Sequence, residues 1–170
     1  MIATGVLALP LERFGRTMAG VGHLNAREDR DGVVRSDPLV VQYGNDLIPS
    51  LALATAARAL NLRPAEVKID LDEGVQMGSY VVRPGEYLQM RTYYYPARDL
   101  KPAFPADSFF DVISGKIAPE KYRNKIVLIG PTAIGIGDAL STPLGTATAP
   151  VHVLANNVSS LLERHAIAVP

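Results

Sequence analysis

The sequence predicts an α/β domain in which a central mixed sheet is flanked by helices, with a β-hairpin excursion. Three observations carry this. Short β-branched and aromatic runs are separated by Gly, Asp and Pro turn signals, the punctuation of strands. Residues 50–62 are Ala-rich behind Pro49, and residues 150–163 repeat apolar positions at helical spacing. The run Lys125-Ile126-Val127-Leu128-Ile129-Gly130 has the composition of a strand covered on both faces. A length of 170 residues suits a single domain over 1–170, and 48% apolar with 20% charged residues is a globular composition.

In chain order, Ile2 to Leu9 reads as a strand closed by Pro10, and Leu11 to Thr17 as a loop or helical turn. Val21 to Leu24 and Val33 to Tyr43 are the two arms of a hairpin whose charged connection ends in Asp29-Arg-Asp31-Gly32. Asn45 or Asp46 caps a helix beginning near Pro49, whose missing N–H is harmless in a first turn. Val67 to Leu71, Gly78 to Val82 and Leu88 to Tyr95 are three short strands, the third joining the central sheet. Ser108 opens a short helix that Gly115 terminates, and Pro119 to Arg123 is a helical turn. Lys125 to Gly130 is the buried strand. The final helix starts at Pro150 and turns Val151, Leu154, Ala155, Val158, Leu161 and Leu162 inward, with His152, Asn156, Ser159, Ser160 and Glu163 on its polar side.

Composition excludes several functions. Seventeen basic and 17 acidic residues balance to zero, so nucleic acid is not expected as a partner. No cysteine is present, which removes disulfides, thiol catalysis and thiolate metal sites. His23, His152 and His165 are scattered without metal-ligand spacing, and no metal site or cofactor is expected. From Ile126 to Leu162 the only ionisable residues are Asp138 and His152, but Pro131, Pro143, Pro150 and four glycines divide this stretch. The pieces are shorter than the roughly 20 apolar residues of a spanning helix.

Gly130-Pro-Thr-Ala-Ile-Gly135-Ile-Gly137 stands where a phosphate loop would, yet lacks the Lys and Ser or Thr that reach phosphate and magnesium. No serine lies in a nucleophile elbow, and no catalytic residue is assigned. The Asp29–Gly32 segment has part of a calcium-loop spacing, but Arg27 and Pro38 fall where oxygen ligands are needed, leaving a carboxylate-capped turn. Eight polar residues remain as candidate ligand contacts: Asn25, Asp29, Asp31, Arg35, Asp138, Thr142, His152 and Asn156. Asp138 is the single carboxylate of the long uncharged stretch and needs a partner if buried, with Arg35 or backbone N–H groups able to serve.

The order of segments resembles a known family. Gly22-His-Leu-Asn25, Asp29-Arg-Asp31-Gly32-Val-Val-Arg35, Pro38-Leu39 and Ile48-Pro-Ser-Leu-Ala-Leu53 are followed by Phe109-Phe-Asp-Val-Ile-Ser-Gly115, Lys125 to Gly130, Asp138 and Thr142-Pro143. Together they resemble the CHASE2 family of extracytoplasmic sensor domains. The resemblance implies a bacterial membrane receptor with this module on the periplasmic side of the cell membrane. Transmembrane helices outside this chain would lead to a cytoplasmic output domain such as a nucleotide cyclase, a two-component histidine kinase, a serine/threonine kinase or a diguanylate cyclase. It implies no enzyme activity in the module, a small-molecule or protein signal, and a homodimer.

Two departures stand out. No tryptophan is present, whereas the family usually has a Trp-Pro-rich segment near its start, so the chain reads as the C-terminal portion of the module. The last helix begins Pro150-Val-His152-Val-Leu154-Ala where the family often has Gly-Val-Glu-Ile-His-Ala, so the usual acid is His152 and the usual His is Leu154. The competing readings are a small α/β enzyme or nucleotide binder using the Gly130 to Asp138 loop, and a structural dimerisation module.

Overall fold

Frequent turn signals cut this chain into short strands. The computed structural model describes residues 2, 3, 8–83, 85–133, 136 and 139–167. In order, these form β1 (Ile2–Ala3), α1 (Glu12–Gly15), β2 (Arg27–Glu28), β3 (Val34–Pro38), β4 (Val40–Tyr43), β5 (Asp46–Pro49) and α2 (Leu51–Ala59). Then come β6 (Val67–Asp70), β7 (Gly74–Met77), β8 (Tyr80–Val82), β9 (Gln89–Arg91), α3 (Phe109–Ile113), β10 (Leu140–Thr142), β11 (Gly145–Thr148) and α4 (Pro150–Leu162). The predicted mixture of helix and strand is present. Among the described residues its strands are divided over four small sheets, β1-β4-β5, β2-β3-β9, β6-β7-β8 and β10-β11, with β1–β4 the parallel pair.

The expected strand from Val33 to Tyr43 is broken at Leu39. Pro38 has no N–H to give a ladder. Leu39 instead donates to the Leu88 carbonyl at 3.0 Å and accepts from the Ser50 N–H at 2.8 Å, so the chain passes from one sheet to the next through a fully buried residue. The hairpin partner of β3 is Arg27–Glu28, and Asp46–Pro49 is a strand paired with β4 where a helix cap was expected. Ser50 is the actual cap of α2, accepting the Leu53 N–H at 3.1 Å.

Val21 to Leu24 contributes one parallel bridge, His23 to Ser50, instead of a hairpin arm. The His23 N–H donates to Pro49 O and the Leu51 N–H to His23 O, both at 2.9 Å. Gly22 permits this approach, because a Cβ there would lie 2.5 Å from Leu51 Cα.

Leu39, Val40, Ala52, Leu53, Ala56, Val75, Met77, Val82, Leu88, Met90, Val158 and Leu161 form the core, with α2 and α4 laid over the strands. The alanines of α2 allow that helix to approach closely. Two expectations are corrected. Residues 125–130 form no strand and pair with none among the described residues, and Ile126, Val127 and Ile129 are 44%, 51% and 77% exposed. An apolar run states a need for cover and does not supply the neighbour. The polar side of α4 is not a solvent face either, since Asn156, Asn157 and Ser160 are buried. They bond the segment after β9: Asn156 Oδ1 accepts from the Tyr95 N–H at 2.8 Å, and Ser160 Oγ accepts from the Tyr93 N–H at 3.0 Å.

Gly22→Ala is expected to destabilise the chain by about 1–3 kcal/mol, because backbone must move to admit the methyl group. Gly20→Ala, which meets nothing within 4 Å, should be near neutral. Urea denaturation of the two variants beside the parent checks this, and equal midpoints for the pair would contradict it.

Candidate functional site

Asp37 occupies the middle of β3, where the strand's buried pattern turns its side chain inward. It is 8% exposed, and none of the ion pairs among the described residues includes it. Its oxygens are instead hydrogen-bonded from two helices. Ser50 Oγ donates to Oδ2 at 2.9 Å, and Asn157 Nδ2 donates to Oδ1 at 3.0 Å. Asn157 Oδ1 in turn accepts from Thr92 Oγ1 at 2.7 Å, so the network continues into the segment that follows β9. Burial pushes the Asp37 carboxyl up to about 7, with the Ser50 bond acting against it. Nearby, the Tyr94 hydroxyl donates to the Val34 carbonyl at 2.7 Å, and burial together with Asp37 pushes this phenol up to about 12.

Asp37 and Asn157 form part of the wall of a cavity of about 190 Å³ between the first turns of α2 and α4. Leu51 and Ala52 come from α2, and Val151, Val153 and Leu154 from α4. Ile129, Gly130 and Pro131 close one side. Gly130 lies against the helix, since a Cβ on it would sit 2.7 Å from Val151 Cβ, so packing accounts for this glycine of the suspected loop.

His23, Asn25 and Ser36 complete the polar end. The Asn25 N–H donates to His23 Nδ1 at 3.2 Å, which places the imidazole proton on Nε2. Nε2 is buried without a well-formed hydrogen bond. Burial pushes the His23 imidazole down to about 4, the nearby Pro38 carbonyl acting in the opposite direction.

Of the eight residues singled out in the sequence, Asn25 lines this cavity. Asp29, Asp31 and Arg35 come together, but with each other: Arg35 Nη1 and Nη2 donate to Asp31 at 2.8 Å, and Nη1 also donates to Asp29 at 2.9 Å. The guanidinium holds the Asp31 carboxyl down to about 2, its side-chain hydrogen bond being the main cause. This cluster clamps the turn between β2 and β3. Thr142 is buried in the β10–β11 hairpin, where Oγ1 lies 2.9 Å from Thr148 Oγ1. His152 sits in the first turn of α4 and its carbonyl accepts from Asn156 Nδ2 at 2.7 Å, so these two share a bond within the helix. Asp138 lies outside the described residues, as do Gly135 and Gly137. Among the described residues no group of three His, Cys, Asp or Glu gathers to hold a metal, and no helix is long and apolar enough to cross a membrane.

The residues not singled out are Asp37, Ser50, Thr92, Asn157 and His23. One signal was available: Asp37 stands between the apolar pairs Val33-Val34 and Leu39-Val40, so a strand buried there must give its carboxyl partners.

Compared with known proteins, the chain matches the CHASE2 domain family over residues 4–170. No curated protein and no solved structure matches it.

The shifts of Asp37 and His23 oppose one another. Near pH 5 the folded protein holds a neutral acid and a neutral imidazole, whereas an unfolded chain holds a carboxylate and an imidazolium. Each state carries one proton on the pair, so folding exchanges few protons. Taken singly, the raised Asp37 gives stability that is present below about pH 4 and lost as pH rises through about 7. The lowered His23 gives stability present above about 6.5 and lost as pH falls through about 4. Asp37→Asn should therefore make stability fall as pH drops from 6.5 to 4.5. His23→Gln should make it fall as pH rises over the same window, at up to about 1.4 kcal/mol per pH unit, the one-proton limit. The parent should be flatter than either. Urea midpoints between pH 4.5 and 7.5 check this, and three parallel profiles would refute it.

Proposed function

Because the chain belongs to the CHASE2 family of extracytoplasmic sensor domains, we propose that it senses a signal through the cavity at Asp37 and relays occupancy along α4. The observation carrying this reading is that one buried carboxyl at the cavity wall is bonded to the caps or turns of both bordering helices, Ser50 of α2 and Asn157 of α4. A molecule entering beside Asp37 changes the hydrogen-bonding demands on that carboxyl, and Asn157 is the direct route from there to the helix. Differential affinity of the occupant for two positions of α4 supplies the shift. Coupling of about 1 to 3 kcal/mol is the usual scale for such effects.

In this reading the domain is the periplasmic input of a bacterial transmembrane receptor, and its output resides in a cytoplasmic domain beyond the membrane. The module itself is the sensor and leaves catalysis to that output. The first turn of α4 and the Ile129–Pro131 segment both line the cavity, so an occupant would touch them directly.

Leu154 is half-buried and lines the cavity, which makes it the position at which to fill the space. In the intact gene product, Leu154→Trp is expected to change unstimulated output by about five-fold or more, matching the lower end of that coupling range. Glu163→Gln, on the exposed C-terminal end of α4, should leave output unchanged. Melting temperature of each variant controls for folding. An output insensitive to Leu154→Trp in a folded protein, with unaltered hydrogen exchange in α4, would remove the route from cavity to helix.

A further inference from the structure

The walls of this cavity specify more than its existence. Among the described residues that line it there is one carboxylate, Asp37, and no lysine or arginine. The nearest guanidinium along β3, Arg35, is committed to Asp29 and Asp31. His23 contributes no positive charge, since burial keeps its imidazole neutral down to about pH 4. An anion would therefore meet a buried carboxylate with nothing to compensate it.

Asp37 also retains acceptor capacity. An ionised carboxylate offers about four lone-pair positions. Ser50 and Asn157 occupy one on each oxygen. Apart from His23, Asn25 and Ser36 at the polar end, the rest of the described wall is apolar, including Val34, Leu51, Ile129, Leu140, Val151 and Leu154. A volume of about 190 Å³ is slightly more than that of a cavity of roughly 150 Å³ that accommodates benzene. It fits one ring, or a five- to six-carbon chain, with a short polar head.

We infer that the cavity takes a small primary amine with an apolar body, its ammonium seated on the Asp37 carboxylate and its carbon skeleton against the first turns of α2 and α4. This rests on the sensing role proposed above and names the chemical class of the signal. The ammonium donates to the two free acceptor positions of Asp37, a charge-assisted contact stronger than a neutral one. The groups facing Asp37 from the surrounding elements are Ser50, Asn157, His23 and Tyr94, none of them cationic in the folded protein at neutral pH.

Three isosteres separate the alternatives on the unmodified 170-residue chain: 2-phenylethylamine, 2-phenylethanol and phenylacetate, titrated calorimetrically at pH 8. The amine is expected to bind at least ten-fold more tightly than either of the others. Its affinity should drop as pH is lowered from 7 to 5, approaching ten-fold per unit, because the carboxyl must ionise to receive it. Asp37→Asn should abolish the preference for the amine over the alcohol while leaving the alcohol's affinity unchanged. If the alcohol or the acid binds as tightly as the amine, the amine assignment is overturned and the cavity remains a sensing site. If none of the three binds or raises the melting temperature, and Leu154→Trp also leaves output unchanged, both the amine assignment and the sensing cavity fall.

Discussion

A single buried carboxyl organises this domain. Asp37 stands in β3, takes a hydrogen bond from the residue that caps α2, and takes another from the middle of α4, 120 positions further along the chain. Each donor has a second duty. Ser50 Oγ also receives the Leu53 N–H, and the Asn157 amide also receives the Thr92 hydroxyl. The sheet containing β3 and β9 is thereby joined to both core helices through polar contacts, one on each oxygen of Asp37. Losing either donor would leave a buried acceptor unsatisfied, at about 1–3 kcal/mol. Apolar packing alone would permit α2 and α4 to slide over the strands, because hydrophobic burial has little directionality. The carboxyl fixes where they stop, and the space left between their first turns is the cavity.

Local punctuation made part of this fold legible. Ser108 and Gly115 bracket α3, Pro119 opens the turn that ends at Tyr122, and Pro150 starts α4 as the residue pattern requires. What could not be read was pairing. The run from Val33 to Tyr43 looks like one strand, yet Leu39 is bonded to Leu88 and Ser50 and divides it between two sheets. Residues 126–129 have the strongest β-forming composition in the chain and no strand partner among the described residues. Hydrophobicity encodes a requirement for burial, and which element satisfies it is a property of the whole fold.

The candidate site shows the same division. Asp29, Asp31 and Arg35 are conspicuous because their charges lie close in sequence, and that closeness is what lets them satisfy each other on a turn. Thr142 is likewise absorbed by its own hairpin. Asn156 stands on the polar side of α4, and that side is covered by the backbone of Tyr93 and Tyr95, which bond Ser160 and Asn156 respectively. Asp37 and Asn157 are separated by most of the chain, so no local spacing links them. The only trace of their encounter is an aspartate in a short strand bracketed by Val33-Val34 and Leu39-Val40-Val41.

The neutral state of the cavity gives the proposed signal a direction. Burial raises the Asp37 carboxyl to about 7, so its charged form is disfavoured while no cation lies beside it. A cation seated beside it favours the ionised form. Hydrogen bonds to a carboxylate are roughly twice as strong as those between neutral groups. Both Ser50 and Asn157 are donors toward Asp37, so ionisation strengthens each of them at once. In the proposed sensing role, occupancy would therefore tighten the attachment of α2 and α4 to β3. The first turn of α4 has no side-chain cap of its own, Ala149 standing at that position, so its placement depends on contacts of this kind. On the proposed reading, a binding event confined to one carboxyl would thereby be expressed over the length of a 13-residue helix.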